Sequence, residues 1–83
     1  MKRVLVANRG AIATRIIRTL DRLGVESVAV YADVDAGAPH TRAATVGARL
    51  HGSSPGAAYR DVDQLVALGE ATGATAGHPG YGF

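Results

Sequence analysis

Two short turns carry most of the residues that could do chemistry in this chain. Asn8-Arg9-Gly10 follows an apolar segment and precedes a helical pattern, and the string HPGYGF stands at residues 78–83. A turn at the start of a helix offers free backbone N–H groups and the positive end of the helix dipole, which favour phosphate or carboxylate. In the second turn, proline fixes one backbone angle and the glycines allow a close approach of the backbone, so Tyr81 can present a flat ring to a ligand. The chemistry that these residue types support is therefore binding.

Each turn also has a purely structural interpretation. Gly10 supplies the backbone freedom that a tight strand-to-helix turn needs. The dinucleotide fingerprint G-x-G-x-x-G is absent, since Ala7, Asn8 and Ala11 surround a single glycine. At the first turn we favour the structural interpretation over an anion site. At residues 78–83 the residue types alone support both interpretations equally.

Charged residues elsewhere form two groups with competing interpretations. Asp33 and Asp35 follow the second apolar segment, where a dinucleotide-binding fold keeps its ribose-binding acid. They could also form a loose metal pair, but aspartates in a loop rich in Ala, Gly and Pro more often stabilise turns. Arg15, Arg18 and Arg22 lie at i, i+3 and i+7 and form a basic stripe along one helix face. Such a stripe is usually a solvated surface, and a subunit interface is the functional alternative.

Hydrolytic and metal-dependent catalysis find no support in the sequence. His40, His51 and His78 have no metal-ligand spacing. Ser53 and Ser54 lack the context of a nucleophile elbow, and the chain has no cysteine that could act as a thiolate nucleophile or ligand. We therefore expect no catalytic residue and no metal-binding residue in this chain.

Length and composition restrict the fold and the partners. Eighty-three residues, 47% of them hydrophobic, fit one small globular domain, which at this size is marginally stable alone. No apolar run approaches the roughly 20 residues of a membrane span, and no signal peptide is apparent. The net charge of +2 comes from basic residues spread along the chain, so neither nucleic acid nor a membrane is an expected partner. We expect a cytoplasmic protein.

The hydrophobic pattern predicts an α/β fold with about four strands and two main helices. The apolar run at residues 4–7 is typical of a strand covered on both faces; helical spacing follows it until Gly24, which can supply a left-handed stop. Asp61 is expected to cap the second helix, with Gln64 completing a capping box, and Gly73 to end it. The predicted strands are residues 4–7, 27–31, 45–50 and 74–77, with a helical turn at 40–44 and a loop at 52–57. This order implies a parallel sheet with right-handed crossovers.

Four segments together closely resemble the N-terminal subdomain of biotin carboxylases. They are VLVANRGAIA at residues 4–13, RIIR at 15–18, SVAVYAD at 27–33 and HPGYGF at 78–83. The resemblance covers the whole chain in order, and it implies a Rossmann-like pre-ATP-grasp domain over residues 1–83. In the family this domain precedes an ATP-grasp domain that binds ATP and magnesium. The family's enzymes use ATP and bicarbonate to carboxylate biotin, which delivers the carboxyl group to an acceptor.

The resemblance also assigns roles to individual residues. His78, Tyr81 and Gly82 match the family's loop beside the biotin site, and Arg15 and Arg18 match helix positions linked to the subunit interface. The implied partners are the ATP-grasp and C-terminal domains of the same chain, a biotinyl carrier domain and a second copy in a homodimer. Biotin, ATP and magnesium are the implied cofactors of the full-length enzyme. Because the family's nucleotide, bicarbonate and magnesium ligands lie beyond residue 83, we expect this piece to bind no cofactor and to be no catalyst.

The chain is thus expected to be the first piece of a larger ligase, truncated inside a working loop. LHGSSPGAAY at residues 50–59 looks most like urea carboxylase, the biotin-dependent half of urea amidolyase. Acyl-CoA carboxylases usually have an Ile-Gly-Pro-Ala-Pro type segment there, and Ala11 replaces a first-turn glutamate that many relatives carry. The alternatives are the biotin carboxylase part of an acyl-CoA or pyruvate carboxylase. From another class, a nucleotide-binding module would use Gly10 and Asp33, and a purely structural module is the third alternative.

Three departures from the family pattern bear on stability and assembly. Ala44-Thr45 stands where the family usually has Ala-Asp-Glu, so an acidic pair is lost. Gly77 replaces a large aliphatic residue of the last strand, a loss of packing expected to cost about 2–4 kcal/mol. Arg22 replaces a residue that is often acidic in the dimer-forming helix. We expect a marginally stable fold, a weakened dimer and some apolar surface that faces other domains.

Overall fold

Four parallel strands form the sheet, as the hydrophobic pattern predicts. In the computed structural model of the chain, which describes residues 2–52 and 54–78, the strands are β1 (Arg3–Val6), β2 (Glu26–Tyr31), β3 (Val46–Arg49) and β4 (Ala76–His78). Their order is β3-β2-β1-β4, and each neighbouring pair is parallel. The chain moves from β1 to β2 and β3 on one side and then returns to place β4 on the other. The order therefore reverses between β1 and β4.

The helices are α1 (Gly10–Arg22), α2 (Pro39–Ala43), α3 (Pro55–Tyr59) and α4 (Val62–Thr72), and a 3-10 turn covers Asp33–Asp35. The two long helices, α1 and α4, are the two that the sequence predicts. Both end as expected, because Gly24 and Gly73 adopt left-handed backbone angles, with φ of 72° and 75°. No helix within residues 2–52 and 54–78 is long and apolar enough to cross a membrane.

Each face of the sheet carries its own hydrophobic cluster, because successive side chains of a strand point to opposite faces. On the α1 side, Val6 and Ile17 are fully buried and pack with Ala13 and Ala29. The larger cluster on the other face combines strand residues with the end of α3: Leu5, Ala7, Val28, Val30, Ala32, Ala48, Leu50, Ala58 and Tyr59. Burial of one large aliphatic side chain stabilises the fold by about 1.5–3 kcal/mol, so each cluster holds its helices to the sheet.

The prediction of a loop at residues 52–57 is wrong, because α3 begins within it. The Ser54 side chain accepts a hydrogen bond from the Ala57 N–H at 3.2 Å, and Pro55 occupies the first helical turn. Serine at the N-cap and proline directly after it are typical of a helix start. The short helix matters because its last two residues, Ala58 and Tyr59, are buried in the larger cluster.

The capping box predicted at α4 is only half formed. Asp61 accepts the Gln64 N–H at 3.1 Å, as a cap should. The Gln64 side chain binds the backbone of His51 instead, accepting its N–H and donating to its C=O, both at 2.6 Å. A carboxamide matches a peptide group because it offers one donor and one acceptor side by side. Gln64 therefore ties the segment after β3 to the start of α4.

The Ala44-Thr45 departure has a structural role in this chain. The Thr45 hydroxyl accepts the Ser27 N–H at 3.1 Å, and the Ser27 hydroxyl accepts the Thr45 N–H at 3.3 Å. These reciprocal bonds join the segment before β3 to β2. Thr45 thus helps to satisfy the N–H groups of Ser27 and Thr45, just before the first paired residues of β2 and β3.

Replacing Gly77 with valine is expected to stabilise the chain by about 1 kcal/mol, since glycine weakens a strand interior and β-branched residues favour it. A Cβ atom at Gly77 would approach nothing closer than the Leu5 carbonyl oxygen at 3.9 Å, so the site has room. Urea unfolding of both proteins measures the change. Gly52→Ala is the opposed control: its Cβ would lie 3.0 Å from that of Ala58, and we expect it to destabilise. A Gly77→Val midpoint at or below that of the original chain would contradict the prediction.

Candidate functional site

The candidate site is the crevice at the carboxyl ends of β1 and β4. The Ala7 N–H donates to the His78 carbonyl at 2.9 Å, so the segment entering the HPGYGF turn lies beside the segment entering the Asn8-Arg9-Gly10 turn. In open α/β sheets, ligands bind outside the carboxyl ends of the strands, at the point where the strand order reverses. That point lies here. Tyr81 and Gly82, the other predicted residues of the second turn, lie outside the described residues.

The first turn has the geometry of a tight strand-to-helix connection. Gly10 has a φ of 70°, which side-chain-bearing residues rarely adopt. The Asn8 side-chain oxygen accepts the Arg9 N–H at 2.8 Å. No side chain caps α1, and its first turn contains no acidic residue. These contacts support the structural interpretation, and anion binding by Asn8, Arg9 and Gly10 stays a prediction.

A polar network that the sequence did not reveal closes the end of β1 against α3. Arg9 forms an ion pair with Asp35 at 3.2 Å, and its guanidinium carbon lies 5.4 Å from the centre of the Tyr59 ring. The Tyr59 hydroxyl donates to the Asp35 carboxylate at 2.8 Å and accepts the Ala32 N–H at 3.1 Å. The network joins the turn after β1, the 3-10 turn after β2 and the end of α3. It fixes the turns that follow β1 and β2 against α3 rather than supplying a reactive group.

Electrostatics hold Tyr59 in its neutral form. Burial of the ring raises the pKa of Tyr59 to about 12, and the neighbouring Asp35 carboxylate adds to the effect. The Ala32 N–H and the Arg9 charge act in the opposite direction. A phenol of this kind donates its proton in a hydrogen bond and does not act as a base near neutral pH.

Asp33 and Asp35 each form an ion pair with a different arginine. Asp33 accepts from Arg49 at 2.6 and 3.0 Å, while Asp35 binds Arg9. The hydrogen bond from Arg49 lowers the pKa of Asp33, and the same contact raises the pKa of Arg49. Over residues 2–52 and 54–78, no group of three or more His, Cys, Asp or Glu side chains is placed to hold a metal ion.

The remaining predicted residues lie in separate places. Arg15, Arg18 and Arg22 are exposed on α1 and line a groove between α1 and α2. His78 is exposed at the end of β4. His40 is buried, with Nε2 3.1 Å from the Val30 carbonyl, which is a structural contact.

An apolar groove of about 430 Å³ lies between α4 and β4. Its lining includes Leu5, Leu65, Val62 and Val66. Val62 and Val66 have exposed fractions of 67% and 56%. Exposed apolar surface of this kind commonly marks an interaction site. Uncovered apolar surface is expected from the sequence, and it lies at this edge of the sheet.

The chain is similar to known proteins along its whole length. The family profile described as "Biotin carboxylase, N-terminal domain" matches residues 1–83. The chain is 49% identical over 83 residues to the mitochondrial methylcrotonoyl-CoA carboxylase subunit alpha of Oryza sativa subsp. japonica. The aligned region is 100% of this chain and 11% of that relative. Urea amidolyase of Saccharomyces cerevisiae is 48% identical over 80 residues, which are 96% of this chain and 4% of the relative.

A solved structure shows the same fold. The structure of a single-chain, multi-domain long-chain acyl-CoA carboxylase superimposes with a TM-score of 0.93 at 55% identity, over 99% of this chain and 8% of that one. The chain therefore spans a small part of the length of the relatives that it matches. Urea-specific and acyl-CoA-specific relatives stand at nearly equal identity.

Proposed function

The chain belongs to the family of biotin carboxylase N-terminal domains, and from this membership we propose that it forms the first part of a biotin-dependent carboxylase. The observation that carries the proposal is the family match over all 83 residues. In the proposed enzyme, ATP and bicarbonate carboxylate biotin, and biotin passes the carboxyl group to an acceptor. This domain would supply one wall of the biotin side, at the crevice between β1 and β4. We place the enzyme in the cytoplasm.

We propose that ATP and magnesium are bound outside this domain. The turn after β1 has a single glycine where a dinucleotide fingerprint needs three, and the described residues form no metal-ion group. We propose that the following ATP-grasp domain of the same chain binds both. The apolar groove between α4 and β4 is then the surface against which further parts of the chain pack.

The proposal is tested with the full-length parent enzyme. Release of ADP that depends on both bicarbonate and biotin is expected for the parent. The 83-residue chain serves as the control and is expected to release none. A parent that hydrolyses no ATP under these conditions, or a sequence after residue 83 without an ATP-grasp domain, would refute the carboxylase function.

For the acceptor we propose urea, because residues 50–59 resemble the corresponding segment of urea carboxylases. The structure gives this segment a role in folding, since it leads from β3 into α3. The alternatives are an acyl-CoA thioester and pyruvate. Stimulation of ATP hydrolysis by each acceptor in turn, with biotinylated parent enzyme, separates them. Stimulation by an acyl-CoA or by pyruvate, and not by urea, would replace the urea assignment.

Tyr81→Ala in the parent is expected to weaken the use of biotin about two- to tenfold, the range that corresponds to losing one aromatic contact of about 0.5–1.5 kcal/mol. Bicarbonate-dependent ATP hydrolysis in the absence of biotin should change little, since ATP and bicarbonate would be held by other domains. Steady-state kinetics with each substrate varied in turn measures both effects. Tyr81→Phe is the matched control and should retain biotin use because it keeps the ring. If the alanine variant instead loses ATP affinity, His78, Tyr81 and Gly82 do not belong to the biotin side.

A homodimer through α1 is the family expectation for the parent, and the exposed Arg15, Arg18 and Arg22 stay candidates for that interface. With Arg22 in place of an acidic residue, the basic stripe has one acid fewer with which to pair the arginines of a second copy. We therefore propose a weaker dimer than is usual in the family. The sedimentation velocity of the parent at several concentrations tests this proposal.

A further inference from the structure

The apolar groove between α4 and β4 lies at an open edge of the sheet. β4 is the last strand in the order β3-β2-β1-β4, and its three residues are exposed. We propose that the segment directly after residue 83 in the parent enzyme fills this groove with an amphipathic helix and then adds a fifth parallel strand beside β4. The inference rests on the proposed function in one respect, namely that the chain continues beyond residue 83.

The handedness of the existing connections decides which face a further connection must cover. From β1 to β3 the chain moves towards one edge, and both α1, through Ala13 and Ile17, and Ala44, directly after α2, pack on the same face. From β3 to β4 the chain moves in the opposite direction, and Leu65 and Leu68 of α4 pack on the other face. A right-handed crossover changes face when it changes direction. A strand added beyond β4 continues in the second direction, so its crossover lies on the α4 face.

The space on that face suits one further helix. α4 is 11 residues long, and none of these residues is buried. Val62, Val66 and Gly69 lie at i, i+4 and i+7 and line the groove of about 430 Å³, so they form one stripe of the helix. Both valines are more than half exposed. This stripe needs a second apolar surface, and a helix of about three turns matches the length of α4.

The backbone of β4 offers hydrogen bonds to a further strand. The Ala7 N–H donates to the His78 carbonyl at 2.9 Å, so His78 directs its carbonyl group towards β1. Successive residues of a strand direct their backbone groups to opposite edges. The N–H and C=O of Gly77 therefore face the outer edge, where a parallel strand would bind them.

The other edge of the sheet is less suited to a fifth strand. β3 ends in Arg49, which is exposed and forms an ion pair with Asp33, and charged side chains disfavour pairing at an edge. β4 has no Asp, Glu, Lys or Arg. A connection from β4 to the outer edge of β3 would also lie on the α1 face, and the groove would stay open. Both observations favour the β4 edge.

The first test compares two substitutions in the parent enzyme and in the 83-residue chain. Val66→Asp places a charge in the groove, and Ala67→Asp is the matched control at an exposed position outside the groove lining. In the parent, Val66→Asp should speed amide hydrogen exchange in α4 and β4 by about 30-fold or more, because the filled groove would bury an unpaired carboxylate. In the 83-residue chain its effect should stay within about threefold, as should that of Ala67→Asp in both proteins. The Gly77 amide should exchange slowly in the parent and fast in the 83-residue chain.

The second test identifies the occupant by photo-crosslinking from p-benzoylphenylalanine in place of Val66 in the parent. We expect crosslinks to the same chain within roughly 30 positions after residue 83, the length of a strand–helix–strand unit. Crosslinks to a second copy, to a biotinyl carrier domain or to a more distant segment would overturn the proposal. Equal effects of Val66→Asp in the two proteins, or fast exchange at Gly77 in the parent, would do the same. Neither test depends on ATP or biotin, so a parent without carboxylase activity would refute the proposed function and leave this inference standing.

Discussion

Ile17→Ala is expected to leave the chain largely unfolded at 25 °C. Ile17 is fully buried on the inner face of α1, where it packs with Val6, Ala13 and Ala29. Truncating such a side chain costs about 2–5 kcal/mol, because the apolar transfer term is lost and a cavity remains. A single core in a chain of this length supplies no more than about 3–5 kcal/mol. The substitution therefore removes most of the free energy that separates the folded from the unfolded chain.

Far-ultraviolet circular dichroism together with urea unfolding measures this loss. Leu23→Ala, at the C-cap directly after α1, is the control: it removes a large aliphatic side chain that is 70% exposed, and it should change the free energy of unfolding by no more than about 0.5 kcal/mol. An Ile17→Ala protein with the original urea midpoint would show that the cluster between α1 and the sheet contributes little.

The parts of the fold that the sequence predicts are those with local causes. The two long helices show their apolar spacing within single turns, and their ends are set by Gly24 and Gly73, whose left-handed angles need no distant partner. The parallel order follows from alternating strands and helices. The short helix α3 is not predicted because five residues are too few to show a helical periodicity. The single local signal of its start is Ser54 with the proline after it.

The polar contacts of the site could not be predicted because they join distant residues. Arg9 and Asp35 are 26 positions apart, and Tyr59 lies a further 24 beyond Asp35. Aspartate is common in turns for local reasons. The position of Asp35 after a strand therefore does not indicate that its carboxylate binds Arg9 and Tyr59. Gln64 shows the same limit, since a capping box is local while its actual partner, His51, is 13 positions away. The biotin-side assignment came from family resemblance, because HPGYGF alone fits a structural turn equally well.

The chain is expected to lose about 2–3 kcal/mol of stability between pH 10 and pH 12 through Tyr59 alone. The pKa of Tyr59 is about 12 in the folded chain, against an ordinary value of about 10 when unfolded. The folded state therefore favours the protonated phenol, and the stabilisation is fully present below about pH 10. Above that pH the unfolded chain releases the proton first, so the free energy of unfolding falls until the folded phenol ionises as well. The physical causes are burial of the ring and the carboxylate of Asp35.

Tyr59→Phe separates this effect from other alkaline changes. At neutral pH the variant should be less stable by about 1–3 kcal/mol, since the buried Ala32 N–H loses its acceptor and Asp35 loses a donor. Its stability should then fall less steeply above pH 10, because the phenol is gone. Urea unfolding at each pH measures both the loss of stability at neutral pH and its further fall above pH 10. Tyrosinate absorbance provides a second signal for the ionisation of the phenol. Tyr31→Phe removes a half-buried phenol and should keep the full alkaline loss. If Tyr59→Phe loses stability above pH 10 as steeply as the original chain does, burial in the network does not set the pKa of Tyr59, and packing alone holds the turns after β1 and β2 against α3.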